Sequence, residues 1–257
     1  MDEGSDAGGH GGDDGTDPVS RPEGPDGQPR YGDAWVYESI VGALPGIAVP
    51  PGLAIAIQVG VFETGVVALW WYYDLPDAGL LAGTVAILVA ALGSGLMLRL
   101  GTAVRSVDAP EPYRRLLFGS GVEVVLGVLA FVALVTHLFV VDPRRGGETL
   151  LEGLIGPTPP PLVVYLTLLV LWDLAYRIGT GWWACVAALY RSLRYPVDAA
   201  TARGFRRADG LALVFGLAQV PLVPFVFDHP TLLVAVGGHV LAVTAVSLSA
   251  LALLTVE

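Results

Sequence analysis

The chain contains no lysine and a single cysteine, and only 15% of its 257 residues are charged. Soluble domains carry about 25% charged residues, so the composition excludes an ordinary soluble domain. The lone Cys185 lies in an apolar stretch, which excludes an intramolecular disulfide and a cysteine-based zinc site. Basic residues number 14 against 24 acidic ones, and this net charge of -10 argues against nucleic-acid binding.

Hydrophobic residues make up 54% of the chain. A membrane-crossing helix needs about 20 predominantly apolar residues, and the hydrophobic runs supply about six such helices. The sequence therefore predicts an all-α, polytopic integral membrane protein, a bundle of about six transmembrane helices. The predicted spans are about 51–73, 79–100, 116–141, 161–190, 210–228 and 231–254. Pro221 and Pro224 remove two backbone donors from the fifth span and predict a kink there.

Residues 1–33 differ from the rest of the chain, because they hold nine acidic residues, nine glycines and almost no large aliphatic side chain. Such a segment cannot bury enough apolar surface to offset its ordering entropy, which predicts a disordered acidic tail. A transmembrane domain over 34–257 is expected to follow. Apolar and aromatic residues recur at helical spacing over 34–41, which predicts a short interfacial helix with Trp35 and Tyr37 at the headgroup level.

The arginines near the span ends predict the orientation. Nine of them fall in the loops after the second and fourth spans, and the loops after the first and fifth spans hold none. By the positive-inside rule, the two arginine-rich loops are cytoplasmic. With six spans, both termini are then cytoplasmic too, and the expected location is the cell membrane.

Four ionisable residues lie within the predicted spans, namely Glu63, Glu123, Asp173 and Arg177. A charge near the bilayer centre costs about 2.5 to 3.5 kcal/mol on insertion scales, so each one needs an explanation. Glu63 falls near the middle of the first span, and Glu123 about 10 Å into the third. Asp173 and Arg177 are four residues apart, which places them on one helix face as an ion pair.

A second carboxylate, from span one or span three, would turn that pair into a three-helix polar cluster. Such a cluster either fixes the packing of the helices or serves transport or proton relay, and the sequence leaves both readings open. A third reading is that the charges reach interfacial water by snorkelling.

Two histidines, His137 in the third span and His239 in the sixth, lie at comparable depths. Opposed imidazoles can ligate a haem iron or a metal such as copper or zinc. No carboxylate or thiol is spaced to complete a metal site, so packing or a helix–helix hydrogen bond is the favoured reading. The sequence predicts neither a metal site nor a cofactor.

Motifs of known enzyme classes are absent: there is no Walker-type glycine loop, no HExxH pair and no nucleophile elbow. The expectation is therefore a protein that is not an enzyme.

The segments 113–125 (YRRLLFGSGVEVV) and 171–183 (LWDLAYRIGTGWW), together with the acidic tail and the lack of lysine, resemble an uncharacterised family of multi-pass membrane proteins from halophilic archaea. The similarity covers roughly residues 34–254. The resemblance implies a membrane location and adaptation to salt, and no activity or site residues.

Three classes of function remain open. The first is a structural or assembly subunit, whose partners are the bilayer and either a second copy or a larger membrane complex. The second is a small secondary transporter or ion-coupled permease that uses the intramembrane carboxylates. The third is a haem-carrying electron-transfer protein built on His137 and His239.

Overall fold

The computed structural model describes Trp35 and residues 50–257. The predicted tail over 1–33, and the interfacial helix over 34–41 apart from Trp35, lie outside the described residues. Trp35 itself is buried, with its ring 4.9 Å from that of Phe118. It packs against other side chains of the protein, and its position relative to the lipid headgroups stays a prediction.

Six helical segments are long and apolar enough to cross a membrane, which confirms the predicted all-α bundle. We number nine α-helices in the described range: α1 (Pro51–Tyr73), α2 (Asp77–Arg105), α3 (Glu111–Gly119), α4 (Val122–Thr136), α5 (Leu150–Ile155), α6 (Pro161–Arg194), α7 (Ala199–Leu217), α8 (Val223–Val226) and α9 (Pro230–Leu253). The first, second, fourth and sixth spans are α1, α2, α6 and α9. The third runs over Glu111–Arg145 and the fifth over Ala199–Val226.

Local sequence explains where these helices begin. Pro51, Pro161 and Pro230 each occupy the first position of a helix, where a missing N–H costs nothing and the fixed φ suits the helix. α7 begins differently, because the carboxylate of Asp198 accepts hydrogen bonds from the first backbone N–H groups of that helix.

Two spans are interrupted. The third is divided at Gly121, whose φ of 67° is left-handed, and it ends in a π-helical turn at His137–Val141. The fifth stops being α-helical at Ala218 and continues through a 3-10 turn, Val220–Leu222, where the sequence places Pro221. The predicted spans 116–141 and 210–228 are therefore not continuous α-helices.

Helix α6 lies at the centre of the bundle, where it contacts α1, α2, α3, α4, α7 and α9. Its 34 residues extend about 51 Å at about 1.5 Å per residue, longer than one crossing requires. Two glycines allow its closest approach, since a Cβ added to Gly179 would lie 2.6 Å from the backbone nitrogen of Gly127 on α4. Small residues give such helices their main contact area inside a membrane.

The two ends of the bundle are packed differently. At the end that carries most of the arginines, α2, α3, α6 and α7 share a closely packed core that includes Leu100, Tyr113, Leu117, Phe205 and Phe215. The chain terminus joins this end, where Val197 and Glu257 are bonded through their backbones. The opposite end contains a large cavity.

Candidate functional site: an apolar cavity between the spans

The cavity has a volume of about 800 Å³ and is partly open to the surroundings. All six spans and α5 line it. Small side chains create much of the space, among them Ala82, Ala86, Ala130, Ala133 and Ala235. Sites for small molecules usually measure about 300 to 1,000 Å³ and are mainly apolar, so this volume is sufficient for a ligand.

Few polar groups reach the cavity. Those among the lining residues are Thr136, His137, Thr167, Gln219, Thr231, His239 and the indole of Trp70. No carboxylate and no guanidinium belongs to the described lining. The cavity therefore suits an uncharged molecule.

Both irregular segments of the bundle border the cavity. His137, Leu138 and Val141 of the π turn line one wall, and Gln219 and Leu222 of the fifth-span interruption line another. Irregular backbone at membrane depth is tolerated where it is buried in protein or faces a cavity. π turns inside helices frequently mark functional sites, which makes this cavity the candidate site.

The two predicted histidines both line this cavity, although they lie on different spans. His137 is 9% exposed, and the ring of His239 lies 6.1 Å from that of Trp182. In the described part of the chain, neither Nε2 atom has a hydrogen-bond partner. A search of the same residues finds no group of three or more histidine, cysteine or acidic side chains that could hold a metal ion.

The third span is tied to α9 beside the cavity. Arg145 donates a hydrogen bond to the hydroxyl of Thr231 at 2.6 Å, and His229 Nδ1 lies 3.8 Å from the carboxylate of Asp142. Asp142 also accepts a hydrogen bond from the backbone N–H of Leu150, at the start of α5. These contacts join the third span to α9 and to α5.

The predicted ion pair on α6 is formed. Nη2 of Arg177 lies 2.7 Å from Oδ1 of Asp173, with side chains 3% and 21% exposed. The third member is Gln58 of α1, which donates to Asp173 at 2.7 Å and accepts from Arg177 at 3.3 Å. The group that span one contributes to the pair is therefore an amide and not a second carboxylate.

Glu63 and Glu123 have other surroundings, so the four ionisable residues do not form one cluster. Oε1 of Glu63 accepts a hydrogen bond from the hydroxyl of Thr84 on α2 at 2.6 Å. Oε2 of Glu63 and both carboxylate oxygens of Glu123 are buried without a partner among the described residues.

Glu123 is the second residue of α4. It lies twelve residues after Glu111, the first residue of the third span, and two residues after the interruption at Gly121. Its depth in the membrane stays a prediction. A helix N-terminus favours a negative charge at this position.

A second buried ion pair escaped the sequence analysis. Arg191 and Asp209 are 0% and 2% exposed and are joined by two hydrogen bonds of 2.7 and 3.2 Å. The guanidinium also lies over two rings, 4.1 Å from the centroid of Phe205 and 5.4 Å from that of Tyr113. Arg191 follows the predicted end of span four at residue 190, but it belongs to α6 and links that helix to α3 and α7.

The sequence gives only a weak indication of this second ion pair. Asp209 is the only acidic residue between positions 199 and 227, directly before the predicted start of span five. Extending the span upstream by a single residue would have included it.

Comparison with known proteins identifies the family of this chain. No curated protein and no solved structure matches the chain. The model of DUF7530, described as a family of unknown function, matches residues 30–250, and the chain therefore belongs to the DUF7530 family.

Proposed function

We propose that this protein is a non-enzymatic membrane protein that binds a lipophilic small molecule in the apolar cavity. The observation that carries the proposal is that the interruptions of the third and fifth spans border one cavity of about 800 Å³. Interrupted helices cost backbone hydrogen bonds, and a packing role alone would be met more easily by continuous helices.

The proposal includes a location and an orientation. The arginine-bearing end faces the cytoplasm by the positive-inside rule, and the cavity then lies in the outer half of the cell membrane. Its ligand enters from the surrounding bilayer. The lack of lysine and the excess of acidic residues support a membrane of a halophilic organism.

The test is to identify the lipophilic molecules that remain bound to the purified protein. Wild type, Ala86→Trp and Leu88→Trp are purified in the same detergent from the native host, extracted with organic solvent and analysed by mass spectrometry. Ala86 lines the cavity, whereas Leu88 is 54% exposed on the outer face of the same helix. The pair therefore introduces the same indole side chain, once inside the site and once outside it.

We expect one lipophilic species to co-purify with wild type and Leu88→Trp and to fall at least about fivefold in Ala86→Trp, since the added indole occupies the site. Equal amounts in all three proteins would contradict the proposal.

Ion-coupled transport is a second candidate, supported by Oε2 of Glu63, which is buried without a partner in the described range. A coupling carboxylate takes up a proton or an ion during the cycle. Glu63→Gln should then abolish the dependence of the thermal midpoint on pH and on added ions that wild type shows. A midpoint with the same dependence in both proteins would remove Glu63 from this role.

A structural or assembly subunit is the third candidate. It is supported by the hydrogen bonds among Gln58, Asp173 and Arg177, which join α1 to α6. It requires a persistent partner, either a second copy or another membrane protein. Crosslinking in native membranes followed by electrophoresis tests it, and a purely monomeric chain would exclude it.

A further inference from the structure

We propose that the ligand is an uncharged ring compound with hydrogen-bonding oxygens, of the quinone and quinol class, recognised by His137 and His239. This inference rests on the proposed function, since it names the molecule that the cavity takes.

The lining determines the charge and the shape of the ligand. Every described lining residue is apolar or neutral in its ordinary form, so a carboxylate or phosphate in the cavity would lose its hydration without gaining a counter-charge. Trp70 and Phe225 add aromatic surface to the two imidazoles. Rings prefer offset or edge-on contact with other rings, which favours a flat, unsaturated body over an acyl chain.

The histidines determine the polar part of the ligand. Each ring lines the cavity, and neither Nε2 has a partner among the described residues. A half-turn of an imidazole about χ2 exchanges Nε2 with Cε1, so each unpartnered nitrogen has two positions from which it can meet a ligand. A neutral imidazole carries one N–H donor and one bare nitrogen, so it bonds a quinone carbonyl or a quinol hydroxyl equally well.

The two histidines approach from separate spans. His137 begins the π turn of the third span, and His239 is on α9. A ring compound with oxygens on opposite edges can satisfy both, whereas a molecule with one oxygen can satisfy only one. The volume of about 800 Å³ exceeds what a bicyclic ring needs, and the opening leaves room for an apolar side chain.

The experiment compares two probes of nearly the same shape, 2-methyl-1,4-naphthoquinone and 2-methylnaphthalene, which lacks both oxygens. Binding to detergent-purified protein is measured by equilibrium dialysis against protein-free micelles. We expect wild type to bind the quinone about tenfold or more tighter than the hydrocarbon, the effect of two net hydrogen bonds.

The variants are His137→Leu, His239→Leu and, as a control, His229→Leu. His229 pairs with Asp142 and does not line the cavity. Each cavity variant should weaken quinone binding about fivefold and leave hydrocarbon binding unchanged, while the control retains the wild-type preference. Retained binding of the hydrocarbon shows that a variant is folded.

The outcomes separate this inference from the proposed function. Equal binding of both probes by wild type would overturn the quinone assignment and leave a cavity for apolar chains. Binding of neither probe would remove the proposed function as well. A haem absorption band in purified wild type that disappears in both histidine variants would also overturn the assignment, because iron would then occupy the two nitrogens.

Discussion

Replacing Asp209 by leucine should destabilise the bundle strongly, because the guanidinium of Arg191 would remain buried without its carboxylate. The pair is almost fully enclosed, and two of its hydrogen bonds join the side chains directly. Ser192 would still accept one hydrogen bond from Arg191, and the flanking rings would remain. Neither replaces a negative charge at hydrogen-bond distance.

The expected loss of stability follows from the burial of the Arg191–Asp209 pair. Removing one partner of a buried ion pair costs about 3 to 5 kcal/mol, while replacing both by apolar groups is often neutral or favourable. Arg191→Met with Asp209→Leu loses the stacking on Phe205, worth about 1 to 2 kcal/mol. The double variant should therefore be more stable than Asp209→Leu alone, which is the sign of a coupled pair.

The assay is thermal unfolding in detergent at one fixed heating rate, because unfolding of membrane proteins is often irreversible. A shift of about 2 to 4 °C per kcal/mol predicts a midpoint lowered by about 6 to 20 °C in Asp209→Leu. The control is Arg115→Met, since Arg115 pairs with Glu111 at 2.9 Å but both side chains are exposed. It should shift the midpoint by about 2 °C or less.

Two results would refute this account of the pair. One is an Asp209→Leu midpoint within the range of the Arg115→Met control. The other concerns the double variant: its loss of stability would equal the sum of the losses measured for Asp209→Leu and for Arg191→Met alone. Independent sites add in this way, whereas the two partners of a buried ion pair do not.

Three further outcomes are expected in the same thermal assay. Gly121→Ala should cost about 1 to 2 kcal/mol because of its positive φ, whereas Gly95→Ala, inside a helix with equal open space, should gain about 0.5 to 1 kcal/mol. Gly181→Ala should cost about 1 to 3 kcal/mol, because the added methyl overlaps a phenyl ring of the fifth span. Hydrogen bonds from the Thr201 side chain and the adjacent backbone N–H groups lower the pKa of Asp198. The stabilising effect of Asp198 is fully present above the pKa that its carboxyl has in the unfolded chain, and it is lost as pH falls through the lower pKa of the folded protein. The difference in thermal midpoint between wild type and Asp198→Ala should therefore narrow below about pH 4.

The sequence predicted those features that depend on neighbouring residues. Hydrophobic runs identify spans because span length is a local property, and the pair Asp173–Arg177 follows from one turn of helix. The 3-10 turn coincides with Pro221, whose effect is also local. The fifth span nevertheless begins well before the predicted position, at Ala199, because Arg203, Arg206 and Arg207 made its first turns read as a loop.

Features that depend on tertiary packing were not predictable in this way. Gln58 joins the ion pair only because α1 lies against α6, and no spacing rule links positions more than 100 residues apart. The matched depth of His137 and His239 placed them at one level of the membrane, but only the packing of α4 and α9 against α6 brings both to the cavity. The cavity itself is a property of all the spans together.

Each half of α6 carries a buried ion pair, but the empty volume lies beside only one of them. Toward its C-terminus, α6 is fixed by the Arg191–Asp209 pair and by the ring of Phe215 against Gly181. Toward its N-terminus, Val163 through Ile178 border the cavity, where neighbouring spans contribute alanines and irregular turns. Local opening requires least free energy where buried contacts are fewest. A molecule that fills the cavity should therefore add buried contacts to this half of α6, beyond those that the Gln58–Asp173–Arg177 cluster already supplies.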